Sequence, residues 1–347
     1  MKRYGINLFK VMLRLIEMRS NPILVQIVRG DMVESFFRGA YVVMDAKGQV
    51  LDAVGDIDRH IYPRSALKPI QALGMTASGA AEAFQVTLPE IALACASHNG
   101  EDRHVNVVTQ WLGRLGLSCE VLECGIHASM SKETALAFAL EKKVLTLAHN
   151  ACSGKHVGFV TLALYLKEPI TGYTHSDHAV QRYVNSMIEE MVEMDVKIAP
   201  KGIDGCQAPV IGIPLKNLAK GMAKMAQPEV LNTALREGVQ KVVAAVQKHP
   251  DLIAGTGRFC SAITRESDGE ILGKMGADGV FSVILPKKGW GIALKIDDGH
   301  LQAAEVAIMG ILKKHNLLAD NPHWVHWANP PIKTWNKQVV GEIAFVG

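Results

Sequence analysis

Residues 271–297 read ILGKMGADGVFSVILPKKGWGIALKID. Three apolar runs, Ile271 to Met275, Val280 to Leu285 and Trp290 to Asp297, are separated only by Ala277-Asp278-Gly279 and Lys287-Lys288-Gly289. Connections that short leave no room for a crossover, so neighbouring strands should pair antiparallel. The same pattern occurs near the start of the chain. Ile23 to Val28, Ala40 to Asp45 and Val50 to Gly55 read as strands, with Ala46-Lys47-Gly48 as a hairpin turn between the last two. Helical apolar spacing fills the middle, over Pro89 to Cys95, Asp102 to Leu115, Lys132 to Lys142, Gly154 to Lys167, Asp177 to Met194 and Pro228 to Lys248. Thr87, Ser131 and Ser176 are N-cap candidates, and His300 to Lys314 is a further helix after the last hairpin.

The economical arrangement is an α+β fold: one antiparallel sheet from both chain ends, flanking helices on it, and a helical subdomain at about residues 85–250. Residues 21–320 then form a single domain, preceded by an N-terminal extension, residues 1–20. Residues 321–347 are a tail containing Pro322, Pro330 and Pro331 that finishes as a strand over Val339 to Val346.

The 347 residues are enough for a substantial core. The 37 basic and 34 acidic residues form no polybasic block, so nucleic acid is not an expected partner. No apolar run reaches the roughly 18 residues that a membrane span requires. Met1 to Met18 begins like a secretory leader, with Lys2 and Arg3 ahead of apolar residues. Lys10, Arg14 and Glu17 interrupt it and no small-residue cleavage site follows, so the expected location is cytoplasmic, with a start at Met18 as an alternative. Six scattered cysteines read first as buried thiols, with metal ligation as the sharper alternative.

Five clusters carry chemistry. In Arg64-Ser65-Ala66-Leu67-Lys68, an S-x-x-K step at a helix start can put hydroxyl and amine on one face, where a partly desolvated lysine takes the serine proton; the alternative is a solvated helix start. Ser97-His98-Asn99-Gly100-Glu101 lies between two helices. Ser97 there is a nucleophile candidate or the cap of the next helix, and His98 a structural histidine or a catalyst. His149-Asn150-Ala151-Cys152-Ser153-Gly154-Lys155-His156 opens a long apolar helix, with Cys152 and Lys155 on one face. It lacks the upstream glycine of a phosphate loop, and His156 follows the lysine, which excludes nucleotide binding on this motif. Gly202-Ile203-Asp204-Gly205-Cys206 is a turn-dense loop with a second soft ligand: two cysteines and a carboxylate are able to hold zinc, while the absence of a CxxC spacing favours free thiols. Lys274-Met275-Gly276-Ala277-Asp278-Gly279 sets a lysine beside bare backbone at a strand end or forms an ordinary hairpin, and Lys295 is the competing functional lysine.

Taken in order along the chain, these clusters and Gly255-Thr256-Gly257-Arg258 resemble the rhizobial-type, class 3 L-asparaginases of the asparaginase II family, over roughly Asn21 to Leu318. The resemblance implies hydrolysis of L-asparagine to L-aspartate and ammonia on a serine β-lactamase/glutaminase-like fold. It implies two Ser-Lys pairs, Ser65 with Lys68 and Ser97 with Lys274, zinc held by Cys152, Lys155 and Cys206, and a homodimer. By fold analogy the amides of Ser65 and of the strand near Ala277 form the oxyanion hole. Asp204 would receive the substrate ammonium or a zinc-bound water, Arg258 a carboxylate, and Arg64 and His98 complete the substrate-binding set. Gln207-Ala208 after the cysteine and Asp278 in place of glutamate depart from the pattern and bear on substrate selectivity. A glutaminase or β-lactamase-like amidohydrolase and a non-catalytic zinc-binding relative are the rival readings.

Overall fold

The computed structural model describes residues 20–318 and 321–347; most of the N-terminal extension, and the leader-like stretch within it, lie outside them. The strands in chain order are β1 (Ile23–Arg29), β2 (Met32–Asp45), β3 (Val50–Val54), β4 (His60–Ile61), β5 (Lys201–Ile203), β6 (Pro209–Ile211), β7 (Ile213–Pro214), β8 (Leu272–Met275), β9 (Val280–Leu285), β10 (Trp290–Ile296), β11 (Pro331–Lys333) and β12 (Val339–Phe345). Eight of them make one sheet in the order β11-β12-β1-β2-β10-β9-β8, with β3 also pairing with β2. All pairings in it are antiparallel. Strands from the two chain ends meet twice, where β2 lies against β10, with Val42 opposite Ala293, and where β1 lies against β12, with Ile27 opposite Ile343.

The centre of this sheet is covered on both faces, which explains why its strands read as continuous apolar runs rather than alternating ones. Residues 280–285 and Ala40 to Met44 are all buried. The helix Leu301–Lys314 packs against β10, β9, β1 and β12, and the helix Leu215–Ala226 against β10, β2 and β9. The second of these was not among the expected helices, although Leu215, Leu218, Ala219, Met222 and Ala223 recur at helical spacing and form its buried face. It carries Lys216, Lys220 and Lys224 among small residues, and its Lys224 is buried with Nζ on the Glu190 carbonyl at 2.7 Å.

Helices Leu88–Ala94, Asp102–Arg114, Ser153–Leu166, Ala179–Val192 and Thr233–Lys248 form the mass beside the sheet. Thr87 caps the first through a capping box with Glu90, and Ser131 caps Lys132–Leu140 by accepting from the Thr134 amide. Ser176 does not cap; His178 takes that position before Ala179. Helix Ser153–Leu166 is buried over most of its length, and a Cβ at Gly154 would lie 2.3 Å from the Leu93 carbonyl oxygen, so glycine is what lets it touch Leu88–Ala94. Among the described residues no helix is long and apolar enough to cross a membrane.

Candidate active site

The S-x-x-K step begins as a 3₁₀ turn, Arg64–Leu67, followed by the short helix Lys68–Gln71. Arg64 has φ +52°, in the left-handed region unusual for a side chain of its size. Its guanidinium is fixed from both sides, by Asp204 Oδ1 at 2.7 and 3.0 Å and by Asp278 Oδ2 at 2.6 Å. The turn after β8 presses on this segment: a Cβ at Gly276 would lie 2.3 Å from the Pro63 carbonyl oxygen. Ser282 Oγ of β9 secures the contact by donating to the Ala66 carbonyl at 2.9 Å. Ser65 and Ala277 thereby face one another's segments, and among the described residues neither of their amides donates a hydrogen bond.

Lys68 is 1% exposed and its Nζ has three acceptors: Ser97 Oγ at 3.1 Å, Cys152 Sγ at 3.1 Å and the Ala96 carbonyl. Lys274, on β8, donates to the same Ser97 Oγ at 2.9 Å and to the Met275 carbonyl at 2.7 Å. One buried hydroxyl therefore stands between two buried amines. Ser65 lines a cleft with Arg64, Lys68, Lys155 and Asp204, yet its Oγ has no hydrogen-bond partner among the described residues. Thus Lys68 turns from its sequence neighbour Ser65 to Ser97, 29 positions away.

Ser97 does not cap the following helix, whose N-cap position is Glu101. Its segment is instead pinned through backbone bonds from Ser97 to Ile253, His98 to Ala151 and Asn99 to Ala254. Burial holds Lys274 down to about 7, assisted by the positive charges of Lys68 and Arg258 and opposed by Cys260. This is a lysine that carries a usable lone pair near neutrality.

The thiols form the other half of the site. Lys155 Nζ lies 3.1 Å from Cys206 Sγ, and the Cys152 thiol is near enough to act on the Cys206 sulfur. The hydrogen bond from Cys152 and the Lys155 ammonium lower the Cys206 pKa against the opposing effect of burial. Burial also acts to lower the Lys155 pKa, but the two sulfurs and Asp204 outweigh it and raise that value. Among the described residues no three His, Cys, Asp or Glu side chains gather as a metal cage, so a zinc here requires the lysine. Tetrahedral zinc with sulfur and nitrogen ligands sets such donors roughly 3.6 Å apart. The observed 3.1 Å is a few tenths short, and a Cys206 that already favours the thiolate is a suitable ligand. The donor set fits the metal once Cys152 and Lys155 give up their protons.

Two other expected residues sit elsewhere. His98 is buried with Nδ1 accepting from the Gly100 amide at 3.1 Å and Nε2 at 2.9 Å from Ser153 Oγ, and burial holds its pKa well below 6.5. It braces the floor of the site as a neutral ring and does not line the Ser65 cleft. Arg258 bonds Asn99 Oδ1 at 2.9 Å and Met275 Sδ at 2.8 Å and lines a separate cavity. Sequence reasoning missed Gln71, Gln181 and Asn185, which complete the cleft wall. The last two stand on Ala179–Val192, whose periodicity announces a helix but not which polar residues it turns toward a site. Lys295 donates to the Asp278 and Ile296 carbonyls at 2.6 and 2.5 Å, a bracing role at the β8–β9 turn.

A family described as L-asparaginase II matches the chain over residues 25–345. No sequence among the curated proteins matches it. Among solved structures the chain is similar to a β-lactamase from Mycobacterium bovis, at 16% identity over 80% of this chain and 94% of that one, with a TM-score of 0.40. It is similar to a putative β-lactamase from Bacteroides dorei at 12% identity, over 74% and 84% of the two chains, with a TM-score of 0.43. It is also similar to Mglu in its glutamate form, at 16% identity over 82% of this chain and 63% of that one, with a TM-score of 0.39.

Proposed function

The chain belongs to the L-asparaginase II family, and from that premise we propose that it hydrolyses L-asparagine to L-aspartate and ammonia through an acyl-enzyme on Ser65. The observation that carries this reading is the Lys68–Ser97–Lys274 chain, with hydrogen bonds of 3.1 and 2.9 Å, ending beside a serine that opens on the cleft. Burial, and then the positive charge of Lys68 on the same buried hydroxyl, hold Lys274 down to about 7, so Lys274 readily gives its proton up. A neutral Lys274 takes the Ser97 hydroxyl proton while Ser97 takes one from Lys68, which leaves Lys68 as a free amine three residues from Ser65.

Ser65 Oγ then attacks the side-chain amide carbon and its proton passes to Lys68. The oxyanion accepts from the Ser65 and Ala277 amides, which have no other partner among the described residues. Breaking the C–N bond requires a proton on nitrogen, returned along the same chain, and ammonia leaves. Water adds to the Ser65 ester, the ester bond breaks, and aspartate departs with Ser65 restored. Arg64 and Asp204 match the α-carboxylate and α-ammonium of an amino acid, and their mutual ion pair at 2.7 Å holds both charges ready in the absence of substrate.

Zinc held by Cys152, Lys155 and Cys206 would supply a Lewis acid able to polarise or orient a substrate oxygen. Native protein should contain one zinc per chain by elemental analysis. Because Cys152 and Lys155 must be deprotonated to bind, affinity should fall as pH drops, and Lys155→Ala should weaken zinc at least tenfold without unfolding the chain. Zinc-free native protein that stays zinc-free on titration would remove the metal from this reading.

The direct test is ammonia release from L-asparagine and L-glutamine, with opening of a chromogenic β-lactam measured beside them. Asparagine should be the preferred substrate, and preference for either of the others would overturn the assignment. With Lys274 needed as the free amine, kcat/KM should climb as pH rises through about 7 and level off above it. A profile that is flat between pH 5.5 and 8.5 would rule Lys274 out as a proton acceptor.

A further inference from the structure

A second cavity, of about 360 Å³, shares no lining residue with the Ser65 cleft. Its wall includes Arg258, Arg265, Glu266, His323, His326 and Trp327. The two guanidiniums are in different states. Arg265 is neutralised by Asp251 at 2.7 Å and Glu266 at 3.2 Å. Arg258 has only the uncharged Asn99 Oδ1 and Met275 Sδ as acceptors, and no carboxylate pairs with it among the described residues. Glu305 is within electrostatic reach of Arg258, but burial pushes its carboxyl up to about 7, so it provides at most a partial countercharge. A half-buried guanidinium facing open volume without an anion is an incomplete arrangement.

We propose that this cavity binds a small organic carboxylate, with Arg258 as its charge partner and the exposed His323 and His326 rings as further donors. The fork of guanidinium donors suits a planar carboxylate. Trp327, packed on Phe259 with ring centroids 5.0 Å apart, provides an apolar wall for the carbon skeleton. The volume lies at the lower end of the roughly 300–1,000 Å³ typical of small-molecule sites.

The cavity is connected to the catalytic chain through the two acceptors Arg258 now uses. Asn99 is two residues from Ser97, and the carbonyl of Met275 accepts from Lys274 at 2.7 Å. An anion that draws Arg258 into the cavity loosens both bonds and offsets a positive charge beside Lys274. Occupancy therefore alters asparagine turnover from a distance.

The probe is succinate, a four-carbon dicarboxylate without an amino group, titrated into the full-length protein by calorimetry, a readout independent of whether asparagine is the substrate. Saturable binding is expected, at least tenfold weaker in His323→Ala/His326→Ala, with circular dichroism unchanged because both rings are exposed. That double variant should keep ammonia release within about twofold of the parent when succinate is absent. Arg64→Gln, which alters the Ser65 cleft, should leave succinate affinity unchanged. Absence of binding, binding indifferent to the histidines, or binding lost with Arg64→Gln would each overturn the proposal.

Discussion

Lys274→Met is expected to lower asparagine turnover by about 10³-fold or more, the upper range of general acid-base contributions, while changing stability in a pH-dependent direction. Lys274 is 4% exposed and its amine is held down to about 7, against an ordinary lysine value of 10.5. Between those two values the unfolded chain binds a proton that the folded chain does not. Raising pH therefore shifts the equilibrium toward the folded state across that window. Below pH 7 both states carry the charge, and the full cost of a buried ammonium bears on the fold. Chemical denaturation of parent and variant at pH 6 and pH 9.5 should show the parent gaining on Lys274→Met as pH rises. A difference that is constant across that range, or parent-like turnover in the folded variant, would contradict the assignment of Lys274 as a lysine that is neutral and working near pH 7.

Ser65→Ala should lower turnover by on the order of 10⁴-fold, since the attacking atom is gone and only binding and the oxyanion donors remain. Stability should hardly move: Ser65 Oγ has no hydrogen-bond partner among the described residues, and truncating a partly exposed side chain typically stays within about 0.5 kcal/mol. Ser97→Ala provides the contrast. It removes the shared acceptor of Lys68 and Lys274 and leaves two buried amines facing one another, so activity and stability should fall together. Mass spectrometry of protein quenched during turnover should find the aspartyl ester on the peptide containing Ser65. An ester on the Ser97 peptide, with near-normal rate in folded Ser65→Ala, would move the nucleophile to Ser97.

The position of the elements was legible along the chain because local rules govern it. Val280–Leu285 and Trp290–Ile296 follow from apolar runs broken by turn residues, and Leu88–Ala94 from Thr87 and Pro89 at its start. Sequence reasoning missed the Leu215–Ala226 helix although Leu215, Leu218, Ala219, Met222 and Ala223 recur at helical spacing; what the sequence could not supply was the sheet this face packs on, assembled from residues remote in the chain. The site divides in the same way. Sequence by itself determined which residue types were available: two serines, three lysines and two cysteines in motifs specific enough to indicate the family. It also determined that Cys152 and Lys155 would share one helical face, since a spacing of three does so wherever a helix forms.

Only the tertiary structure decided partners. A lysine stem is long and flexible enough for its amine to reach acceptors on several segments, so the S-x-x-K spacing leaves open which one Lys68 takes. Packing resolves it by bringing the Ala96 carbonyl, Ser97 Oγ and Cys152 Sγ around Nζ, while Lys274 arrives on β8 at the same hydroxyl. The lowered pKa of Lys274 and the isolation of Arg258 from the Ser65 cleft were equally out of reach of sequence. Both depend on burial and on charges contributed by distant segments, and these exist only once the chain has closed around them.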